Sequence, residues 1–432
     1  MNRRQFICSG GAFGIVAPMA LGAAEVSETR ACDKVQSAEA NGQTLEVLLL
    51  QLQQAADSVT LDLQGLSEPI VIKSMQLLQV GETVFVRTLA RDGHEGISVT
   101  NKKVSTLYPI FLTLVAPVFI GQDARLLQAL LEQVYRHKSN YKMQGLALWC
   151  CVAWAEMSIL DLLGKAKGQH VSALFGGKVR DKVALYVASG NRETTAAQEI
   201  DVLQARMSET GAQAVKFKVG GRMSHNQDSL PQRSEQLIAL SRKILGDDIT
   251  IQADANGSYD VEHAIKFGHK LQDINAYLFE EPWRFDHIEQ TKQVADALEI
   301  PVSGGEQESS EYRFKQMLAK NVLQIVQPDL HYYGGFIRTT RLARMAQVLE
   351  VPITLHISDR NAGFAEMVNF SSFTPNIGKF QELKSGMQAT AHLFDPPIVA
   401  KNGFLNVPSA PGLGMKHGSE HIKNAKKVIS HS

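Results

Sequence analysis

Charged side chains recur along the second half of the chain, each at the end of a short apolar stretch. Most successive members are 23 to 27 residues apart, and one β/α unit of a compact barrel takes about 25–30 residues. Each residue therefore occupies the same place in successive units, on the rim where barrel enzymes hold their catalytic groups. The seven residues are Lys218, Asp254, Glu280, Glu306, Asp329, His356 and Glu382.

Three of these residues are carboxylates from adjacent predicted strands. The middle strand is apolar up to Glu280 and ends before Pro282, because proline cannot continue a central ladder. Three converging carboxylates repel one another unless a cation lies between them. An all-oxygen ligand set with room for water and substrate favours Mg²⁺, and Mn²⁺ can substitute for it. The predicted metal ligands are Asp254, Glu280 and Glu306.

Two lysines lie on the strand before the first of these carboxylates. Lys216 and Lys218 flank Phe217, so strand alternation puts both lysines on one face, here the inner face. Two ammonium groups and a dication lower one another's proton affinity. We therefore predict that Lys218 is a base near neutral pH and that Lys216 stabilises negative charge on a substrate.

A second acid/base group is predicted on the opposite side of the mouth. Asp329 and His356 end two strands there, and a carboxylate beside a histidine orients the ring and stabilises its charged form. Glu382 completes the ring of side chains. In a protonated form it would donate to a developing oxyanion, as carboxylic acids held neutral in apolar sites do.

Four polar residues close to these strand ends are candidate substrate contacts. Asn191 follows the first barrel strand, and Asn256 lies two residues after Asp254. Each asparagine has the alternative role of a turn residue. His331 and Tyr332 follow Asp329 and are predicted to line the pocket.

The elements that position these residues are short strands alternating with amphipathic helices, from residue 183 onward. Eight such units predict an α/β fold with a (β/α)8-type barrel, a modified TIM barrel. A doubly wound sheet is the alternative, but eight regular units favour closure. The predicted strands are Ala184–Ala188, Ala214–Val219, Ile249–Asp254, Ala276–Glu280, Pro301–Glu306, Leu323–Asp329, Pro352–His356 and Lys379–Leu383.

The rest of the chain divides by composition. Antiparallel strands followed by helices predict an N-terminal α+β domain, which the C-terminal tail completes. The predicted segments are a twin-arginine-type signal peptide (1–24), a partly helical extension (25–66), an α+β capping domain (67–182), the barrel with the active site (183–385) and a C-terminal segment packing on the capping domain (386–432).

Charge and cysteine content exclude several classes of function. The chain has 44 basic and 44 acidic residues, whereas nucleic-acid or anionic-membrane binding requires a basic excess. The 4 cysteines form neither a zinc spacing nor a disulfide framework, and adjacent Cys150 and Cys151 are predicted to be buried thiols. Arg3 and Arg4 before a small-residue stretch predict a periplasmic or otherwise exported protein, without membrane contact after signal cleavage.

Jointly, these motifs resemble the mandelate racemase-like group of the enolase superfamily. The resemblance covers nearly all of the chain from about residue 67. It implies a capping domain on a modified barrel, one Mg²⁺ and removal of the α-proton of a carboxylate substrate. It assigns Lys218 and the His356–Asp329 pair to acid/base work. The motifs are Lys216-Phe217-Lys218, Asp254-Ala255-Asn256, Phe279-Glu280-Glu281-Pro282, Gly304-Gly305-Glu306, Gln327-Pro328-Asp329, Leu355-His356 and Glu382.

The group includes acid-sugar dehydratases, racemases, epimerases and cycloisomerases. We expect a dehydratase of a hydroxy or sugar acid, with an enediolate as the intermediate. The alternatives are a racemase or epimerase, a cycloisomerase, and a non-catalytic acid- or carbohydrate-binding protein. The chain departs from the group in the turn 80–83, which is too short for the usual lid loop. We expect a homo-oligomer, in which a neighbouring subunit or residues 25–66 can supply a lid.

Overall fold

The computed structural model describes residues 44–358, 363–386, 391–415 and 425–431. The predicted signal peptide, Cys8 and Cys32 lie outside these residues. The strands are β1 (Ile72–Val80), β2 (Thr83–Ala90), β3 (Glu95–Val99), β4 (Lys182–Ala188), β5 (Ala214–Lys218), β6 (Thr250–Asp254), β7 (Leu278–Glu280), β8 (Val302–Gly304), β9 (Ile325–Val326), β10 (Gln381–Lys384), β11 (Ala400–Lys401), β12 (Phe404–Asn406) and β13 (Lys426–His431).

Some helices precede β4, and the others alternate with the strands from β4 onward. They are α1 (Leu45–Asp57), α2 (Val104–Ile110), α3 (Ala116–Phe119), α4 (Leu127–Arg136), α5 (Leu146–Ala166), α6 (Ala196–Thr210), α7 (Arg233–Leu245), α8 (Val261–Asp273), α9 (Ile288–Ala297), α10 (Glu311–Ala319), α11 (Leu330–Tyr333), α12 (Phe336–Val348) and α13 (Gly363–Phe373). Short 3₁₀ turns and a π-helical turn at Phe111–Val115 connect some of them.

A parallel sheet forms the barrel. Strands β4 to β9 pair in chain order, and β10 pairs with β4 on its other side, so the sheet curves back on itself. The seventh position contains single bridges at Ile353 and His356 instead of a regular strand. The predicted fold class, a barrel with an α+β cap, is confirmed. The predicted strand Pro352–His356 is thus reduced to isolated bridges.

Local sequence signals explain where the barrel helices begin. Helix α6 starts with a capping box, in which Thr195 and Gln198 satisfy each other's backbone N–H groups. Helix α8 starts at Asp260, whose side chain accepts from the backbone N–H of His263. Gly211 ends α6 in the left-handed region, with φ 71°. The caps at Thr195 and Asp260 end the loops that follow β4 and β6 at the rim, whereas Gly211 lies at the opposite end of the strands.

The cap is a four-stranded antiparallel sheet packed on α5. Its order is β13-β1-β2-β3, so the tail of the chain contributes an edge strand, as predicted. Two residues, Gly81 and Glu82, connect β1 to β2, which confirms the short turn. Helix α5 is long and apolar enough to cross a membrane by length and composition, but most of it is buried inside the protein. That burial accounts for its apolar sequence, and Cys150 and Cys151 lie on it as buried free thiols.

The extension before the cap contains helix α1. Thr44 caps this helix, and Leu48, Leu52 and Ala56 are its buried residues. It packs against α10 and α12 on the outside of the barrel. Arg341 forms an ion pair with Asp57 at 2.9 Å, which ties the end of α1 to the barrel.

Candidate active site

Three carboxylates meet at the C-terminal rim of the barrel. Asp254 ends β6, Glu280 ends β7, and Glu306 follows β8 by two residues. One potential ligand atom from each lies within 4.8 Å of the others, and all three residues are buried. Register explains the convergence, because Asp254 is directly opposite Glu280 in the parallel ladder. The structure brings together the three residues predicted from spacing.

The electrostatics of this cluster favour a cation. Glu280 Oε2 accepts from Lys216 at 2.6 Å and from Gln327 at 2.9 Å. Within the described residues, Glu280 Oε1 is buried without a hydrogen-bond partner. Burial and the neighbouring charge of Asp254 raise the pKa of Glu280 to about 7. An orphaned buried oxygen and a carboxyl that resists ionisation are the properties of a site that fits a hard divalent ion.

The two lysines of β5 point into the same rim. Lys218 forms an ion pair with Asp254, and Lys216 lies between Glu280 and Glu382. Burial alone would lower the pKa of Lys216, but those two carboxylates outweigh burial and hold it well above the usual value. The two carboxylates thus favour the ammonium form of Lys216, which is the form that its predicted role of stabilising negative charge requires. Lys218 retains 11% side-chain exposure, so it faces the mouth.

The predicted histidine–aspartate pair is formed on the other side. His356 Nδ1 lies 2.9 Å from Asp329 Oδ2. The other carboxylate oxygen of Asp329 accepts from the backbone N–H groups of His331 and Tyr332. Burial raises the pKa of Asp329, but the hydrogen bond and charge of His356, the charge of His331 and the backbone N–H of Tyr332 together lower it overall. Asp329 is therefore a rigid carboxylate that receives Nδ1–H, and Nε2 of His356 is directed at the mouth, 3.2 Å from Glu306 Oε2.

Glu382 differs from its predicted protonated form. Its carboxylate lies 3.3 Å from Lys216 Nζ and 3.1 Å from Lys384 Nζ. Burial would raise its pKa, but the two ammonium groups outweigh burial and hold the pKa below the usual range. Glu382 is thus a carboxylate, and the prediction that it donates a proton is wrong. Spacing missed Lys384, although its position two residues after Glu382 puts both on the inner face.

The two asparagines are in different environments. Asn256 is buried, donates to both oxygens of Asp254, and accepts from Arg192 Nη2 at 2.6 Å. It therefore orients a predicted metal ligand, a role different from the substrate contact expected of it. Asn191 is exposed and lines a cavity of about 180 Å³ with Lys218 and other rim residues. Arg192 follows Asn191 directly, which is the only sequence signal that could have found it.

His331 and Tyr332 are on α11, directly after Asp329. His331 is buried: Trp154 Nε1 donates to its Nδ1 at 3.0 Å, and its Nε2 lies 2.6 Å from Glu366 Oε2. Both ring nitrogens are therefore engaged within the protein, and the predicted substrate contact is wrong for His331. Tyr332 lies beside His356, with ring centroids 6.3 Å apart, so it borders the acid/base pair.

A larger cavity lies away from this chemistry. It measures about 400 Å³ and opens at the N-terminal end of the strands, beside Arg242 and Tyr277. None of the predicted site residues lines it. Barrel enzymes carry their sites at the opposite, C-terminal face, so the smaller cavity beside Lys218 belongs to the candidate active site.

The family model described as Enolase C-terminal domain-like matches residues 199–420. The chain therefore belongs to the enolase superfamily, within the family typified by mandelate racemase and muconate lactonizing enzyme. The matched range includes every predicted metal ligand and acid/base residue.

Curated relatives include acid-sugar enzymes. The arabinonate dehydratase of Saccharolobus solfataricus is 25% identical over 357 residues, which cover 82% of this chain and 90% of the relative. The D-galactarolactone cycloisomerase of Agrobacterium fabrum is 28% identical over 308 residues, covering 69% and 79%. The chain thus resembles both lyases and isomerases of this family.

A solved structure shares the fold. It is a mandelate racemase/muconate lactonizing protein from Paracoccus denitrificans, complexed with magnesium. The two chains superpose with a TM-score of 0.75 at 24% identity, over 82% of this chain and 97% of that structure. The similarity extends over both the cap and the barrel.

Proposed function

We propose that this protein is a Mg²⁺-dependent acid-sugar dehydratase. The observation that carries the proposal is the three-carboxylate cluster with a lysine on one side and a histidine–aspartate pair on the other. A binding protein would need the metal site but not two proton-transfer groups. The dehydratases among the curated relatives support elimination of water as the reaction.

Asp254, Glu280 and Glu306 would hold the metal ion. Their oxygen ligands suit Mg²⁺, and Mn²⁺ can substitute. When bound, the ion acts as a Lewis acid that increases the acidity of the α-proton by withdrawing charge from the substrate carboxylate. The buried oxygen Oε1 of Glu280, which has no hydrogen-bond partner among the described residues, supports this assignment because a metal ion would give it a partner.

The remaining residues divide the work of proton transfer. Lys216, fixed as an ammonium group, stabilises the charge that develops on the substrate carboxylate as the α-proton leaves. Lys218 or His356 removes that proton, depending on the configuration of the α-carbon. His356 can then return a proton from Nε2 to the departing β-hydroxyl group, while Asp329 holds its Nδ1–H.

Isomerisation is the second candidate. Two bases on opposite faces also permit racemisation or epimerisation, because one removes the proton and the other returns it. The similarity to D-galactarolactone cycloisomerase favours cycloisomerisation among these alternatives. All of these reactions share the same first step and differ in what happens to the enediolate.

The reaction can be identified with a panel of acid sugars in D₂O that contains Mg²⁺. The panel would include arabinonate, gluconate, galactonate and galactarolactone, with products followed by mass spectrometry and proton NMR. We expect loss of one water molecule from at least one aldonate. Inversion or ring opening without loss of water would replace dehydration by isomerisation. Failure to exchange any α-proton across the panel would refute enzymatic proton abstraction.

A further inference from the structure

Lys384 is a charged residue of the mouth that the proposed mechanism does not use. It ends β10, two residues after Glu382, and its side chain is 25% exposed. It lines the same cavity as Lys218 and Asn191. A lysine side chain that is three-quarters covered at a catalytic rim is costly to desolvate, so its ammonium group needs specific acceptors.

Three acceptors surround this ammonium group. Lys384 Nζ lies 3.1 Å from His356 Nε2 and 3.1 Å from Glu382 Oε2, and it also donates to the backbone oxygen of Ile357. An ammonium group has three N–H donors. Glu382 and Ile357 are acceptors on the barrel wall, and the contact to His356 directs the ammonium group at the nitrogen that must exchange a proton with substrate.

Substrate binding would change the contact between Lys384 and His356. Nε2 of His356 must turn its lone pair or its proton toward the substrate, because Nδ1 is held by Asp329. The N–H group of Lys384 that is directed at Nε2 would then point to the substrate atom that exchanges a proton with His356. The bonds to Glu382 and Ile357 keep the ammonium group in place while this happens.

We propose that Lys384 is a further catalytic residue, which donates a hydrogen bond to the β-hydroxyl oxygen as that group leaves. The inference rests on the proposed dehydration. In that step the α-proton passes to a base, its electron pair forms the α–β double bond, and the β C–O bond breaks. The oxygen retains the electron pair of that bond, takes from His356 Nε2 the proton that this nitrogen accepted from the α-carbon, and departs as water. Lys384 keeps its own proton throughout.

The proposed role of Lys384 affects the rate of water elimination but not the rate of α-proton exchange. Removal and return of an α-proton place no charge on the β-oxygen, so a donor at that position accelerates only the loss of water. The proximity of Lys384 to His356 Nε2 accordingly favours a dehydratase over an epimerase.

The test compares two rates in the same protein with Mg²⁺ in D₂O. The probes are gluconate, galactonate and arabinonate, and the rates are α-deuterium incorporation and loss of water. We expect Lys384→Met to lower elimination by about 100-fold and to lower exchange far less, so that deuterated substrate accumulates. Lys384→Gln, which keeps a neutral donor, should fall between Lys384→Met and wild type. Lys379→Met removes an exposed positive charge just before the same strand and should leave both rates unchanged.

A second probe distinguishes a leaving-group role from a structural one. A 3-deoxy-3-fluoro acid sugar loses fluoride, which departs with less help from a proton donor than hydroxide does. Lys384→Met should therefore eliminate fluoride at a rate much closer to that of wild type. Equal losses of exchange and elimination, or no loss of either, would overturn the inference. Failure of wild type to exchange any α-proton would instead refute the proposed function, before any variant is compared.

Discussion

The two carboxylate oxygens of Glu280 have different surroundings. Lys216 and Gln327 occupy one of its carboxylate oxygens, whereas the other is buried without a hydrogen-bond partner among the described residues. The adjacent Glu281 is also buried, and burial and Glu306 raise its pKa well above the usual value. Only Glu280 belongs to the three-carboxylate cluster. Two neighbouring acids thus differ in their surroundings, and we propose only Glu280 as a metal ligand.

This difference can be measured by Mg²⁺ binding. Glu280→Gln should weaken Mg²⁺ binding by at least about 100-fold, since it replaces an anionic ligand by a neutral amide. Glu281→Gln is the matched control, because an amide has nearly the shape of a protonated carboxyl group, and its affinity should stay close to that of wild type. Isothermal titration calorimetry checks both variants. Equal affinities for Glu280→Gln and wild type would remove Glu280 from the metal site.

At the residue scale, the spacing of residues predicts where a side chain lies better than it predicts its hydrogen-bond and ion-pair partners. The periodic strand ends located the metal cluster and the His356–Asp329 pair, because side-chain direction follows from strand register. The protonation of Glu382 could not be predicted in the same way, since it depends on Lys384 from its own strand and on Lys216 from another. The orientation of Asn256 likewise depends on its hydrogen bond from Arg192, which joins two loops.

At the scale of elements, a buried relay connects the cap to the catalytic pair. Trp154 on α5 donates to His331 on α11, and His331 Nε2 contacts Glu366 on α13. Glu366 also accepts from the backbone N–H of Val99 on β3. The backbone N–H of His331 in turn holds Asp329. The cap therefore contributes to the position of Asp329 through this chain of contacts.

Removal of the indole donor should have two effects. Trp154→Phe keeps an aromatic ring in the core but takes away the hydrogen bond to Nδ1 of His331. We expect a loss of about 1–3 kcal/mol of unfolding free energy, together with a reduced kcat as Asp329 loses its fixed orientation. Chemical denaturation and steady-state kinetics measure the two effects. Stability and kcat both equal to those of wild type would show that the relay has no influence on the site.

Regular elements were the easier part of the fold to predict. Apolar stretches bounded by loop residues indicated seven of the barrel strands, because a parallel strand is buried on both faces. The seventh position was predicted as a strand, but its backbone forms only single bridges at Ile353 and His356. A pattern of apolar residues does not report how many ladder hydrogen bonds the neighbouring segments leave available.

At the scale of the whole molecule, the tail joins the two parts of the structure. Strands β11 and β12 extend the sheet beside β4 of the barrel, and β13 pairs with β1 of the cap. Asp161 of the cap also accepts from the backbone N–H of Leu413 at 2.7 Å. Residues far apart in sequence thus hold the cap over the barrel mouth, an arrangement that the family resemblance implied and that periodicity alone did not.

The central claim is that the three carboxylates hold a metal ion that enables removal of the α-proton. Its most direct test is the rate of α-deuterium incorporation into an accepted acid sugar in D₂O, measured with Mg²⁺, after removal of metal by EDTA, and after Mg²⁺ is restored. We predict that exchange stops in EDTA and returns with added Mg²⁺, while circular dichroism shows an unchanged fold. Exchange that continues at the same rate in EDTA would contradict the claim.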